Sequence, residues 1–398
     1  MLAGTFAMSI SSGINYHGFG NLFLPLSNEF GWSRTRISSV FSLARLENGI
    51  LGPIDGYLID RFGPRAVILV GVPIMGIGYI LLSQISGFLS FSIVYILGVT
   101  IGAGTLHVPI QTAVANWFNK KRGLAFGIMW SGVGIGGMIV PLYGWGIELF
   151  GWRETSIYIG VIVILIGIPC GLIMRHNPYK YGQYPDGLKV SEGKASKAKL
   201  PDSIDFSPKE ALRSSSFWLL TFATGLRILL TSGVSLHLVP YFVDLGIDPV
   251  TAAAFAGSVG VISIPGRFGL SAIGDHFNKR YILMFSMFLL SISVLILSYV
   301  NSLNGAIIAL ILYSFAQGGS AVVPNAIMAD YFGTKHYGTI MGFRSIVVTF
   351  GVILGPIISG ATFDNYGSYQ LAFFGFAIVN FIGFIMIIYS KPPKKPSA

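Results

Sequence analysis

Twelve apolar stretches, each long enough to cross about 30 Å of hydrocarbon as a helix, recur at roughly 3–26, 35–59, 65–86, 89–115, 123–148, 153–174, 215–242, 250–274, 280–299, 303–328, 338–362 and 369–390. A water-soluble domain cannot bury that many uninterrupted apolar segments. The only backbone that satisfies its own hydrogen bonds across lipid within one such segment is a helix. Charge content agrees, since 11% of residues are charged against about a quarter in ordinary soluble domains. The expected class is an all-α integral membrane protein of twelve transmembrane helices.

The longest polar interruption runs from Arg175 to Arg213 and is rich in Lys, Ser, Asp and Pro. It divides the chain into an N-terminal six-helix bundle (1–175), a linker (176–213) and a C-terminal six-helix bundle (214–398). Most of the 26 basic residues lie in the even-numbered loops and the C-terminal tail, whereas the opposite loops hold only Arg34, Arg36 and Arg153. By the positive-inside bias, both termini and the linker are expected in the cytoplasm. The first apolar run has no basic n-region and continues past residue 20, so it reads as a retained helix and not a cleaved signal. A net charge of +10 is accounted for by these loops and does not call for a nucleic-acid partner.

The two halves repeat each other. "LHVPIQTAVANWFNKKRGLAFG" (106–127) parallels "AVVPNAIMADYFGTKHYGTIMG" (321–342), and "GYLIDRFGPR" (56–65) parallels "LSAIGDHFNKR" (270–280). Internal duplication of this kind is a transporter architecture. "GYLIDRFGPR" resembles the loop between the second and third helices of the major facilitator superfamily. "PLSNEFGWSRTRIS" (25–38), "NWFNKKRGLAFGIMWSGVGIGG" (116–137) and "FGWRETSIYIG" (150–160) are similar to the branch that holds monocarboxylate transporters and oxalate/formate exchangers. Two departures accompany the resemblance. The second-half loop has His276 and Asn278 where the first has Arg61 and Gly63, and the first helix lacks the acidic residue of many animal monocarboxylate carriers. The resemblance implies two pseudo-symmetric bundles that expose a mid-membrane site alternately to each side, with helices 1, 4, 7 and 10 lining it.

Four arginines, Arg45, Arg227, Arg267 and Arg344, fall inside the apolar runs. A central arginine costs at least about 2.5–3.5 kcal/mol to insert, so each must be hidden from lipid. Arg267 shares a helical face with Gly260, Ser263, Ser271 and Gly274 and lies eight residues before Asp275, roughly 12 Å inside at 1.5 Å per residue. Arg344 shares a face with Gly351 and Gly355, and Arg227 with Ala223, Thr224, Thr231 and Tyr241. Fixed guanidinium groups in a cavity would hold an anion, because their fork matches a carboxylate as a lysine cannot. The competing reading is structural, with each arginine paired or capping carbonyls. The resemblance places Arg267 at a carboxylate-binding arginine and Arg344 where oxalate exchangers carry a second cation. Arg45, on a face with Gly49, Gly52 and Gly56, reads as a packing or gate residue as readily as a substrate contact. Glu47 either pairs with a cation on another helix, Arg344 being the candidate, or carries a proton.

Further polar side chains within the spans are His107, Gln111, Tyr16, His17, Tyr313 and Gln317, each either a substrate contact or an interhelical hydrogen bond. Asp60, Arg61, Arg65 and Asp275 stand at loop mouths and are expected to form a charge latch that gates the cycle. Cys170 is the single cysteine, which excludes a disulfide framework and a cysteine-based metal site. "GVGIGG" (132–137) imitates a dinucleotide fingerprint but sits in an apolar span without the βαβ context. No enzymatic motif, metal or cofactor is expected. The resulting expectation is a multi-pass plasma (cell inner) membrane carrier of small mono- or dicarboxylates, coupled to a proton or a counter-anion. The alternative is an exporter of another small solute or drug on the same fold.

Overall fold

The computed structural model describes residues 1–32, 34–187, 205–247, 249–300, 302–393, with the side chains of a few further residues, including Tyr16, His17 and Glu47, outside the described set. Its elements are α1 (Leu2–Ser11), α2 (Phe23–Phe30), α3 (Arg34–Phe62), α4 (Pro64–Leu82), α5 (Phe88–Ile93), α6 (Ile101–Trp117), α7 (Arg122–Gly136) and α8 (Ile139–Ile173), followed by α9 (Pro208–Arg213), α10 (Ser215–Asp244), α11 (Pro249–Pro265), α12 (Ser271–Ile273), α13 (Lys279–Tyr299), α14 (Leu303–Phe332), α15 (Tyr337–Tyr366) and α16 (Gln370–Tyr389). Wider π turns interrupt the helical runs at Ser12–His17, Val94–Thr100 and Gly266–Leu270.

Among the described residues nine helical stretches are long and apolar enough to cross a membrane. One of them, Arg122–Ile173, covers two of the expected spans and contains Gly151 at φ 80° and ψ 162°, a break in the middle of α8. Sharp ends elsewhere have local causes. Gly63 at φ 84° stops α3, and Pro64 starts α4 one residue later, where its missing N–H costs nothing.

The chain divides into two compact units. The first holds Met1–Lys120, Ile128–Ser203 and Thr334–Phe343; the second holds Lys121–Gly127, Ile204–Gly333 and Arg344–Ala398. In the first unit α4 lies against α6 and α8, with Val72, Met75, Tyr79, Val99 and Ile110 buried. In the second, α13 lies against α14 and α16, around a core that includes Leu230, Val234, Leu290, Val294, Tyr313 and Phe373. The same pairing pattern in both units is the packing counterpart of the sequence repeat.

Two of the motif stretches meet in the first unit. Trp152 Nε1 donates to Glu29 Oε2 at 2.7 Å, and Arg153 donates to Glu29 Oε1 at 2.5 Å and to the carbonyls of Ser83 and Ile85. Arg153, and less so Trp152, hold the Glu29 carboxyl below its ordinary range. Any stability this exposed group adds is therefore present above the ordinary carboxylate pKa and lost as pH falls through the lowered one.

Candidate functional site

Three of the four buried-span arginines gather in the second unit, carried by α10 (Arg227), the π turn after α11 (Arg267) and α15 (Arg344). Small residues let these elements approach. A Cβ on Gly318 of α14 would meet the Ser263 carbonyl oxygen at 2.2 Å, and one on Gly266 would meet the Phe315 carbonyl oxygen at 2.0 Å. Gly351 and Gly355, on the same face of α15 as Arg344, stand against the backbone of α10 at Gly225 and Leu229. The π turn matters for the same reason, because such bulges re-aim side chains and concentrate at functional sites.

Arg227 and Arg344 are each 5% exposed, while Arg267 is half-buried. Arg267 Nε donates to Ser263 Oγ at 3.2 Å, one turn earlier on its own helix. Arg344 Nη1 donates to Asn325 Oδ1 at 2.6 Å. The Asn325 amide is itself oriented, since its Nδ2 donates to the Ala321 carbonyl at 3.2 Å. The Nε of Arg227 is buried with no hydrogen-bond partner among the described residues, as is that of Arg344, and the groups that act on Arg227 electrostatically are Arg344, Tyr313 and Arg267. No carboxylate among the described residues is one of them. A desolvated guanidinium beside two others is costly unless a negative charge enters.

Tyr313 is fully buried, with its hydroxyl on the Thr231 carbonyl at 3.3 Å and beside Ser235 Oγ at 3.0 Å. Gln317 is half-buried one turn further along α14. In the first unit Gln111 is 4% exposed, and its Oε1 has no hydrogen-bond partner among the described residues. The His107 ring donates to the Ala103 carbonyl of its own helix. Arg45 lies over the Phe41 ring at 4.5 Å and acts on Tyr95, whose hydroxyl donates to Asn15 Oδ1 at 3.0 Å. The side chains of Tyr16, His17 and Glu47 lie outside the described residues, and with them the suggested Glu47–Arg344 pair. A cavity of about 300 Å³ lined by Ala113, Trp117, Ile173 and Arg175 contains none of the candidate side chains.

The loop acids have definite partners, and these are backbone amides. Asp60 accepts from Gly338 N at 2.9 Å and Thr339 N at 2.8 Å, in the first turn of α15. Asp275 accepts from Gly123 N at 2.6 Å and Leu124 N at 2.8 Å, in the first turn of α7. Each carboxylate sits at the positive end of a helix, where free N–H groups and the dipole both favour it. Asp330, which the sequence did not single out, receives Arg122 and, at 2.9 Å, Lys279. Arg61 instead turns onto Tyr57, donating to its hydroxyl at 3.0 Å, and Arg65 is exposed. Asp55, also passed over, lies within α3 and has no hydrogen bond or ion pair among the described residues.

The family model described as Major Facilitator Superfamily matches residues 1–311 and 268–398. An oxalate:formate antiporter of Oxalobacter formigenes is 26% identical over 403 residues, covering 97% of this chain and 89% of the relative. A monocarboxylate transporter 13 of Bos taurus is 23% identical over 381 residues, covering 94% and 84%. Among solved structures, a human organic anion transporter aligns with a TM-score of 0.73 at 16% identity over 97% of both chains. The E. coli fucose:proton symporter does so with 0.73 at 15% identity over 98% of both. With a family match along its whole length and an all-helical fold shared with those carriers, the chain belongs to the major facilitator superfamily and is a multi-pass membrane transporter of that kind.

Proposed function

We propose that the protein is a secondary active transporter of small organic anions, mono- or dicarboxylates, working by alternating access and driven by a proton or a counter-anion. The observation that carries this reading is Arg227, buried under the charges of Arg267 and Arg344 with no carboxylate among the described residues acting on it. A carboxylate entering there offsets the repulsion and meets guanidinium forks that suit its geometry. The relatives named monocarboxylate transporter and oxalate:formate antiporter support the same substrate class.

In this reading the chain crosses the plasma (cell inner) membrane twelve times. The bundles 1–175 and 214–398 are joined by the linker 176–213, with both termini in the cytoplasm. Asp60 and Asp275 are the latches: breaking their helix-capping hydrogen bonds accompanies opening toward the cytoplasm. Tyr313 and Gln317 are the polar contacts in the second unit that tune the choice of anion; in the first unit the candidates are His107 and Gln111, whose buried oxygen has no hydrogen-bond partner among the described residues.

The test is uptake of labelled formate, lactate and oxalate into liposomes holding the purified protein. Saturable uptake of at least one, competed by unlabelled carboxylates and unaffected by a neutral sugar or a cationic dye, is expected. The other carrier reading, export of a different solute or drug, predicts that the dye moves and the carboxylates do not.

A further inference from the structure

His237 lies on α10 ten residues beyond Arg227, about 15 Å further along the helix at 1.5 Å per residue. Its ring joins the two helices that carry Arg227 and Arg344. Nε2 is 3.2 Å from the Pro356 carbonyl oxygen of α15, and Nδ1 is 3.2 Å from the Tyr369 hydroxyl just before α16. Tyr369 is 6% exposed and held between the rings of Phe363 at 4.6 Å and Phe373 at 5.8 Å, so its hydroxyl is fixed in place. The charged groups that bear on the pair are Asp364 of α15, which acts on both rings, and Asp244 of α10, which acts on Tyr369.

This arrangement accepts either protonation state without losing a hydrogen bond at the ring. A carbonyl can only accept, so Nε2 carries a proton in both states. In the neutral imidazole Nδ1 accepts from the Tyr369 O–H. When a proton arrives it binds Nδ1, the Tyr369 hydroxyl turns, and Nδ1–H donates to its oxygen. Asp364 offsets the new charge, and the charge-assisted bonds are shorter and about twice as strong as the neutral ones. The clasp between α10 and α15 tightens accordingly.

We infer that His237, with Tyr369, is a proton-binding site that makes anion uptake depend on the pH of the side facing that end of α10. The inference rests on the transport reading above, whose topology puts this end of α10 outside the cell. Proton binding there favours uptake by stiffening the two helices that present Arg227 and Arg344.

The experiment varies external pH at fixed internal pH in proteoliposomes exchanging labelled carboxylate. Wild-type rate is expected to rise as external pH falls, along a single titration step. His237→Gln should flatten that profile while keeping exchange at alkaline pH within about twofold of wild type, the basal state being neutral already. Tyr369→Phe should move the midpoint. Persistence of the inflection in His237→Gln, its loss in Asp55→Asn alone, or a response to internal and not external pH would overturn the inference. A readout independent of transport is the ring resonance of His237 in histidine-labelled protein, assigned by its loss in His237→Gln. A resonance that titrates in the same range and shifts in Tyr369→Phe supports the site, and one that does not titrate overturns it. Failure of wild-type carboxylate uptake, with the resonance titrating normally, would instead count against the transport reading.

Discussion

Replacing Arg267 or Arg344 with alanine is expected to abolish measurable carboxylate uptake. Truncating one partner of a desolvated charge pair costs about 2–5 kcal/mol, and about 1.4 kcal/mol is a factor of ten, so the loss is on the order of 30- to 3,000-fold in uptake at low substrate. Arg267→Lys and Arg344→Lys keep the charge but lose the planar fork. They should recover part of the activity and shift the preference among formate, lactate and oxalate. Asn325 gives a related prediction of smaller size. Its Oδ1 fixes the Arg344 guanidinium, so Asn325→Ala should weaken binding while leaving the charge in place. The same proteoliposome assay reads all of these. Uptake within about threefold of wild type in both alanine variants would rule out a role for the cluster in binding, since that is less than about 0.7 kcal/mol.

The second large effect is expected at the latches. Asp60 holds the amides of Gly338 and Thr339, and Asp275 those of Gly123 and Leu124. Hydrogen bonds to charged groups contribute about 1.5–3 kcal/mol each. Asp60→Asn keeps the shape and an acceptor but removes the charge at the helix start. Amide hydrogen exchange at Gly338 and Thr339 should then accelerate by about tenfold or more, because opening of the segment is that much less costly. Asp275→Asn should do the same at Gly123 and Leu124, and each effect should stay local to its own pair. Exchange unchanged in both variants would mean that the carboxylates do not hold these helix starts.

The sequence made the helices legible because lipid leaves few choices: long apolar runs must satisfy their own backbone. It made the arginines legible because a permanent charge in such a run needs a reason. What it concealed was the identity of partners. Asp60 and Asp275 were readable as acids at loop mouths, yet their partners are backbone amides, which carry no sequence signature. Asn325 falls within the repeat stretch 321–342, yet it is an ordinary amide until Arg344 is placed against it. The π turn under Arg267 shifts the helical register, so a uniform 100° wheel could name the small-residue face but not the aim of the side chain. His237 was invisible because Pro356 and Tyr369 are far from it in sequence.

Thermal unfolding of the purified protein with and without small carboxylates tests the central claim most directly. Ligand that binds only the folded state stabilises it by mass action, so formate, lactate or oxalate should raise the wild-type midpoint in a concentration-dependent way. Arg227→Met should behave in a distinctive manner. Removing one of three mutually repelling cations raises the midpoint without ligand, and it reduces the further rise that carboxylate brings. A midpoint indifferent to every carboxylate, or an Arg227→Met protein less stable without ligand and equally responsive with it, would contradict the account of a cationic cluster built to receive an anion.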